Sequence, residues 1–261
     1  MSHQNVDCGL RVRSLTKHFL GVTALKEFSA DFKAGQVTGL IGPNGAGKTT
    51  LFDLCTGTQR PDEGDIIHQG KSLLSLSVHQ RARLGLARTF QEVRLPWGIN
   101  CLEAAMLVAT RHDRQPRIAR VAAHLGIRKP TTESSSECVA ALESIGLEHL
   151  TNTLVDDLSY GQQKLLGLLC CLWARPNVAL LDEPAAGLSS SRKEETERLV
   201  TALASEGCCV IVIEHNMQFL RKVCDKLVFM AEGKKVLEGT PDDVFVDRLV
   251  VKHYFGDDAP C

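Results

Sequence analysis

The sequence has no run of five or more basic residues, and its formal charge over 261 residues is only -1. Neither a nucleic-acid stripe nor a polybasic membrane anchor is therefore indicated. Long apolar runs are missing too. The longest, Leu165 to Ala174, is far short of the ~20 residues a membrane-spanning helix requires, so membrane contact is expected through a protein partner. The beginning of the chain, with His3, Gln4, Asn5 and Asp7, lacks a secretory pattern, which leads us to expect a cytosolic chain. No Cys-x-x-Cys pair occurs among ten cysteines; Cys170 and Cys171 are adjacent, as are Cys208 and Cys209. Paired in this way inside apolar runs, they read as small core residues and not as zinc ligands or a redox couple. The nine histidines show no metal-like spacing. No solenoid-period repeat appears, and no low-complexity tract beyond Ser134 to Ser136.

What is present is an ordinary globular composition, 44% apolar, on a chain long enough for one large domain or a core domain with a smaller subdomain. Leu10 to Leu15 and Leu25 to Phe32 alternate like half-buried strands. Val37 to Ile41, Val178 to Leu181 and Val210 to Ile213 are short continuous apolar runs, as in strands covered on both faces. Helical patterns at Lys48 to Cys55, Gly161 to Trp173 and Arg192 to Ala204 separate them, which predicts an α/β fold around a parallel sheet. Between Pro96 and Asn152 the strand signal gives way to helical periodicity at Val139, Leu142, Ile145 and Leu147, read as an inserted helical subdomain. Its middle, Arg111 to Ser136, is basic and then Ser/Thr-rich, and is expected to be the most mobile part.

Gly42, Pro43, Asn44, Gly45, Ala46, Gly47, Lys48 and Thr49 satisfy the phosphate-loop spacing, and Thr50 continues into the helix. The loop follows a buried strand and opens a helix, the context the motif requires. Glycines let backbone amides turn inward, and with the positive helix end they form an anion cradle. Lys48 is placed for the β- and γ-phosphates and the Thr49 hydroxyl for Mg²⁺. Alone, this loop says only that a nucleoside triphosphate binds.

Asp182 and Glu183 end the apolar run Val178 to Leu181, at the edge where parallel sheets hold ligands, and Pro184 stops the strand. Such pairs are often solvated loop ends. Beside a phosphate loop they read as a metal-holding aspartate and a glutamate that orients or deprotonates the attacking water. His215 follows Val210 to Ile213 and so reaches the same edge, as a γ-phosphate or water contact or, alternatively, a capping or surface histidine.

Leu158, Ser159, Tyr160, Gly161, Gln162 and Gln163, upstream of Asp182, resemble the signature motif of ABC ATPases. The helix that follows points its positive end at whatever anion docks there. The resemblance implies a P-loop NTPase fold of ABC type, with a mainly parallel sheet core, an antiparallel β subdomain and an inserted α-helical subdomain. It puts the core and β subdomain at 1–91 and 166–257, the helical subdomain at 92–165 and a tail at 258–261. It also implies head-to-tail dimers in which Ser159, Tyr160, Gly161 and Gln162 cap the γ-phosphate of ATP held by the other subunit. In the same family Phe19 matches the aromatic residue that stacks on adenine. Gln91, after Arg88, Thr89 and Phe90, matches the glutamine that reaches Mg²⁺ and couples to the transporter, and His215 matches the switch histidine.

At finer grain the chain resembles the ATPase subunit of branched-chain or hydrophobic amino-acid uptake transporters. The resemblance lies in Thr89 to Leu95, the tyrosine-containing signature, the long insert, Glu183 to Leu188, Ile213 to Met217 and the ending Tyr254, Phe255, Gly256. Urea-uptake and lipopolysaccharide-export ATPases are related alternatives. Implied partners are a second ATPase subunit, integral-membrane permeases and an extracytoplasmic solute-binding protein, with no nucleic acid, at the cytoplasmic face of the inner membrane. A soluble ABC ATPase of DNA repair or translation, or a P-loop kinase, would need modules or an acceptor pocket that the pattern does not offer. Two departures stand out. Lys164 to Cys171 is almost wholly apolar where the family usually carries charge, and Leu188 is followed by Ser189 where the family has Asp or Asn.

Overall fold

A strand that is apolar on both faces is stable only between two layers, and three such strands form the centre of this protein. The structure is a computed structural model that describes residues 9–89, 95–96, 98–109 and 134–255. Among the described residues, strands β1 (Leu10–Phe19), β2 (Val22–Phe32), β4 (Glu63–His68) and β5 (Lys71–Ser72) form one antiparallel sheet in the order β2-β1-β4-β5. A second sheet has the order β10-β9-β3-β8-β7-β6. It comprises β3 (Val37–Ile41), β6 (Leu86–Thr89), β7 (Val178–Asp182), β8 (Cys209–Ile213), β9 (Lys226–Ala231) and β10 (Lys234–Gly239). All its pairings are parallel except β9 with β10.

Alternation along the strands divides the interior in two. Leu40, Val178, Leu180, Ile211, Ile213 and Val228 face the antiparallel sheet and pack with Leu10, Phe28, Phe32 and with Leu51 and Phe52 of helix α1 (Lys48–Thr56). Their neighbours Ile41, Ala179, Leu181, Val210, Val212 and Phe229 face the other way. There they meet α5 (Tyr160–Trp173), α6 (Ser190–Ser205) and α7 (Met217–Val223). Helix α2 (Val78–Arg83) closes the end of α1. The guanidinium of Arg81, only 2% exposed, donates from Nη1 to the carbonyls of Leu54 at 2.6 Å and Cys55 at 2.9 Å, the end of the helix where a cation is favourable.

Helices α3 (Cys101–Ala109) and α4 (Ser134–Ser144) pack on each other, and α3 also packs on α5. Short 3₁₀ turns at Glu148–Leu150 and Val155–Asp157 lead into α5. Helices α8 (Pro241–Phe245) and α9 (Arg248–Phe255) follow β10. The apolar character of α5 has a structural reason. Leu165, Leu166, Leu168, Leu169, Cys171, Leu172 and Trp173 are all buried, because the helix lies between the sheet and α3 and needs apolar side chains nearly all round. The same helix spans the boundary expected at residue 165. Among the described residues no helix is long and apolar enough to cross a membrane. Of the cysteines, the eight described are free thiols, seven of them buried and Cys170 partly so.

The strands read from apolar runs lie where the pattern placed them, with β1 and β2 longer than expected. Strands β4, β5, β6, β9 and β10 are not among those expected, although β9 carries a continuous buried apolar run, Leu227 to Ala231. β6 is a four-residue strand with an arginine in it, and β10 is an edge strand, three of its six residues charged and none buried.

Candidate active site

Parallel strands in the order β3-β8-β7 bring three loops together at their carboxyl ends. Ile213 pairs with Leu40 on one side and Asp182 on the other. The segment after β8, which carries His215, therefore lies between the phosphate loop after β3 and the carboxylates after β7.

The phosphate loop is held by close backbone packing. Gly42 sits at φ +148° and a β-carbon there would stand 2.0 Å from the Met230 carbonyl oxygen; Gly47 sits at φ +98°, where a β-carbon would stand 2.4 Å from the Ala24 carbonyl oxygen. Around Gly45 there is open space. Between them Ala46 donates its N–H to Pro43 and accepts from Gly233, which ties the loop to the turn between β9 and β10. Gly47 caps α1 with no side-chain hydrogen bond and no acidic residue follows in the first turn, so the positive helix end opens toward the concave side of the loop. Lys48 is buried, and its Nζ donates to the carbonyls of Gly42 at 2.6 Å and Pro43 at 2.9 Å. Burial lowers its pKa; the carboxylates of Glu183 and Asp182 push it back up. Pro43 is partly buried, Asn44 is exposed, Thr49 is exposed and Thr50 is partly buried.

Asp182 ends β7, 7% exposed. Its carboxyl pKa is raised, chiefly by burial, against the opposing pull of Arg88. Arg88 stands on β6 beside it, in register with Leu180. Its Nη2 is 3.2 Å from Asp182 Oδ2 and its Nη1 is 2.5 Å from Asp53 Oδ1 on α1. Sequence reasoning quoted Arg88 only as a neighbour of Gln91. Its partners are distant in sequence, and the four-residue edge strand that carries it gives no local sign that a cation there is engaged. Gln91 itself lies outside the described residues.

Glu183 adopts φ +48°, the left-handed region that a β-carbon disfavours, and its N–H donates to the Ile213 carbonyl at 2.9 Å. Its Oε1 lies 3.5 Å from His215 Nε2, so the carboxylate and the histidine expected at this edge do meet. An exposed imidazole beside a half-buried carboxylate can orient a water or share a proton with it. The oxygen donors Thr49 and Asp182 are of the hard type that Mg²⁺ takes. A carboxylate whose charge is penalised by burial is one that a cation relieves.

At the start of α5 the Ser159 hydroxyl accepts from Gln162 N–H at 3.4 Å while Gln162 Oε1 accepts from Ser159 N–H at 2.8 Å, a reciprocal cap that presents the helix end. Tyr160 is exposed and its ring lies over Lys164 Nζ, 4.9 Å from the centroid. A β-carbon on Gly161 would come within 3.2 Å of Leu188 Cδ2, so the signature rests against the loop after Glu183 in its own chain. Ser189 stands at the N-cap of α6 without a side-chain bond to the helix amides, its hydroxyl 3.3 Å from Ser191 Oγ in the first turn. Phe19, 39% exposed, stands at the tip of the β1–β2 hairpin, where Leu20 and Gly21 both have positive φ; Lys17 Nζ lies 5.3 Å from its ring centroid. A cavity of about 280 Å³ is lined by the charged residues Arg88, Asp182 and Lys164 and by Leu168, Cys170 and Cys171.

A glycine-bound loop after one central strand, acids after another and a histidine between them define a P-loop nucleoside triphosphatase. The family model described as "ABC transporter" matches residues 25–186. This chain belongs to that family: it is the ATP-binding subunit of an ABC transporter and an ATPase. The high-affinity branched-chain amino acid transport ATP-binding protein BraF of Pseudomonas aeruginosa is 34% identical over 249 residues, covering 95% of this chain and 98% of BraF. LivG of Escherichia coli, of the same description, is 30% identical with the same coverage. The lipopolysaccharide export system ATP-binding protein LptB of Haemophilus influenzae is 29% identical, covering 95% of this chain and 97% of its own. Among solved structures, the ADP conformation of MJ1267, an ATP-binding cassette of an ABC transporter, superposes with a TM-score of 0.77 at 28% identity, covering 95% of this chain and 99% of that one.

Proposed function

We propose that this subunit powers the uptake of branched-chain or other hydrophobic amino acids, working as a dimer on integral-membrane permeases at the cytoplasmic face of the membrane, with an extracytoplasmic solute-binding protein in the complete system. The observation that carries the reading is the similarity to BraF and LivG along nearly the whole length of both partners.

Within the site, Gly42 to Thr50 hold the triphosphate of ATP through backbone amides, the end of α1 and the Lys48 ammonium. Phe19 supports the adenine. Thr49, Gln91 and Asp182 hold Mg²⁺, which supplies charge neutralisation on the transferring phosphoryl group. Glu183 orients or deprotonates the attacking water, and His215 keeps that carboxylate and water aligned. Ser159, Tyr160, Gly161 and Gln162 close over the γ-phosphate held by the other subunit, so that two nucleotides are buried between two chains.

Two measurements test this. Glu183→Gln is expected to bind Mg-ATP but not turn it over, and to accumulate as a nucleotide-dependent dimer in light scattering; a variant that stays monomeric at saturating Mg-ATP contradicts the roles of Glu183 and Ser159. Co-purified with its permeases into proteoliposomes, the native subunit is expected to hydrolyse ATP faster when leucine-loaded binding protein is added. Stimulation by lipopolysaccharide instead would assign it to the export branch that LptB represents.

A further inference from the structure

Two buried charged side chains, neither of which has a place in the chemistry described so far, grip the same short turn. After β7 the chain turns at Glu183 to Ala186, with Glu183 in the left-handed region. From one side Lys164 of α5, 8% exposed, donates from Nζ to the carbonyl oxygens of Glu183 at 2.7 Å and Ala186 at 3.0 Å. From the other side the Glu214 carboxylate, 2% exposed, accepts from the N–H of Ala185 at 2.7 Å through Oε1. Its Oε2 accepts from the N–H groups of His215 at 2.9 Å and Asn216 at 3.4 Å.

A buried ammonium on carbonyls and a buried carboxylate on amides are costly arrangements unless the backbone they bind is held in place by them. Here the cation fixes the first and last carbonyls of the turn, and the anion fixes the amide between them. That same anion also fixes the backbone of the histidine that faces Glu183. We infer that Lys164 and Glu214 are positioning residues for hydrolysis: a two-sided clamp that keeps Glu183 left-handed and its carboxylate beside His215. Without either jaw, the turn relaxes toward the right-handed conformation that a β-carbon prefers, and the Glu183 side chain swings away. Lys164 lies one turn along the helix that Ser159 caps, so displacement of the signature end is carried by this lysine to the turn of the same chain. The inference rests on the reading of Glu183 as the residue that directs water.

The test is steady-state and single-turnover hydrolysis by Lys164→Met, which keeps the apolar stem, and by Glu214→Gln, which replaces one acceptor oxygen with a donor, with Glu183→Gln as the reference. The expected result is a fall in kcat of about tenfold or more in both, with KM and the Kd of a fluorescent ATP analogue within about twofold of the parent. Lys164→Arg is expected to recover most of the rate. In a Glu183→Gln background neither change should lower the residual rate further, because each acts through Glu183. The clamp is overturned if folded Lys164→Met and Glu214→Gln turn over like the parent while Glu183→Gln does not, or if their rate loss is matched by loss of ATP affinity. Where Glu214→Gln does not fold, Lys164→Met decides the matter by the same criteria. Undiminished hydrolysis by Glu183→Gln itself would instead remove the reading of Glu183.

Discussion

Arg88 Nη2 lies 3.2 Å from Asp182 Oδ2, and the same guanidinium reaches Asp53 on α1, so one buried cation joins the helix of the phosphate loop to the strand that ends in the site carboxylates. Removing the guanidinium leaves Asp182 buried without its cation, whereas Asp53, 32% exposed at its side chain, is partly relieved by water. Arg88→Met is therefore expected to cost about 3 kcal/mol, the low end for breaking a buried ion pair. Urea denaturation measures it, and a variant within ~0.5 kcal/mol of the parent would show the bridge to be idle.

The two glycines of the phosphate loop with the clearest contrast make a matched pair. Gly47→Ala must push a β-carbon against the Ala24 carbonyl at 2.4 Å, whereas Gly45→Ala has open space and faces only the strain of its positive φ. Gly45→Ala should cost about 1 kcal/mol in stability. Gly47→Ala should cost more, and because it shifts the start of α1 it should weaken binding of a fluorescent ATP analogue by about tenfold or more. Equal stability in the two variants would contradict the packing described for Gly47.

Alkaline pH should destabilise this protein in reducing buffer. Burial pushes the thiols of Cys55, Cys138, Cys171 and Cys224 up to about 12 from an ordinary value of 9.0. The folded state thus holds these protons more tightly than the unfolded state. Their contribution is complete below pH 9 and is lost as pH rises from 9 toward 12, at ~1.4 kcal/mol per pH unit for each thiol. Circular dichroism is therefore expected to show stability to urea falling steadily as pH rises above 9. A chain whose stability to urea does not fall over that range would show that these thiols are not as shielded as the packing implies.

The parts of this protein that could be read from residues alone are those whose causes are local. Strand, glycine loop and helix run consecutively from Val37 to Thr56, and the family signature at Ser159 is likewise contiguous, so each motif carried its own context. Long-range pairs left no such trace. Arg88 and Asp182 are 94 residues apart and Glu214 lies 29 residues beyond Ala185, and nothing in the surrounding residues tells a buried, engaged charge from a solvated one. Strands β6 and β10 escaped for a related reason: an edge strand need not be apolar on both faces, so its residues resemble a loop.

By itself, then, the order of residues determined the class of the protein and carried the motifs of a phosphate loop, an acid pair and a signature, because backbone amides, glycine freedom and short spacings act over a few residues. Only the tertiary structure decided that β8 lies between β3 and β7, bringing His215 to 3.5 Å from Glu183, and that Lys164 and Glu214 hold the turn between them. Strand order and burial are set by packing across the whole chain, and the partners of a buried charge are known only once the chain has closed around it.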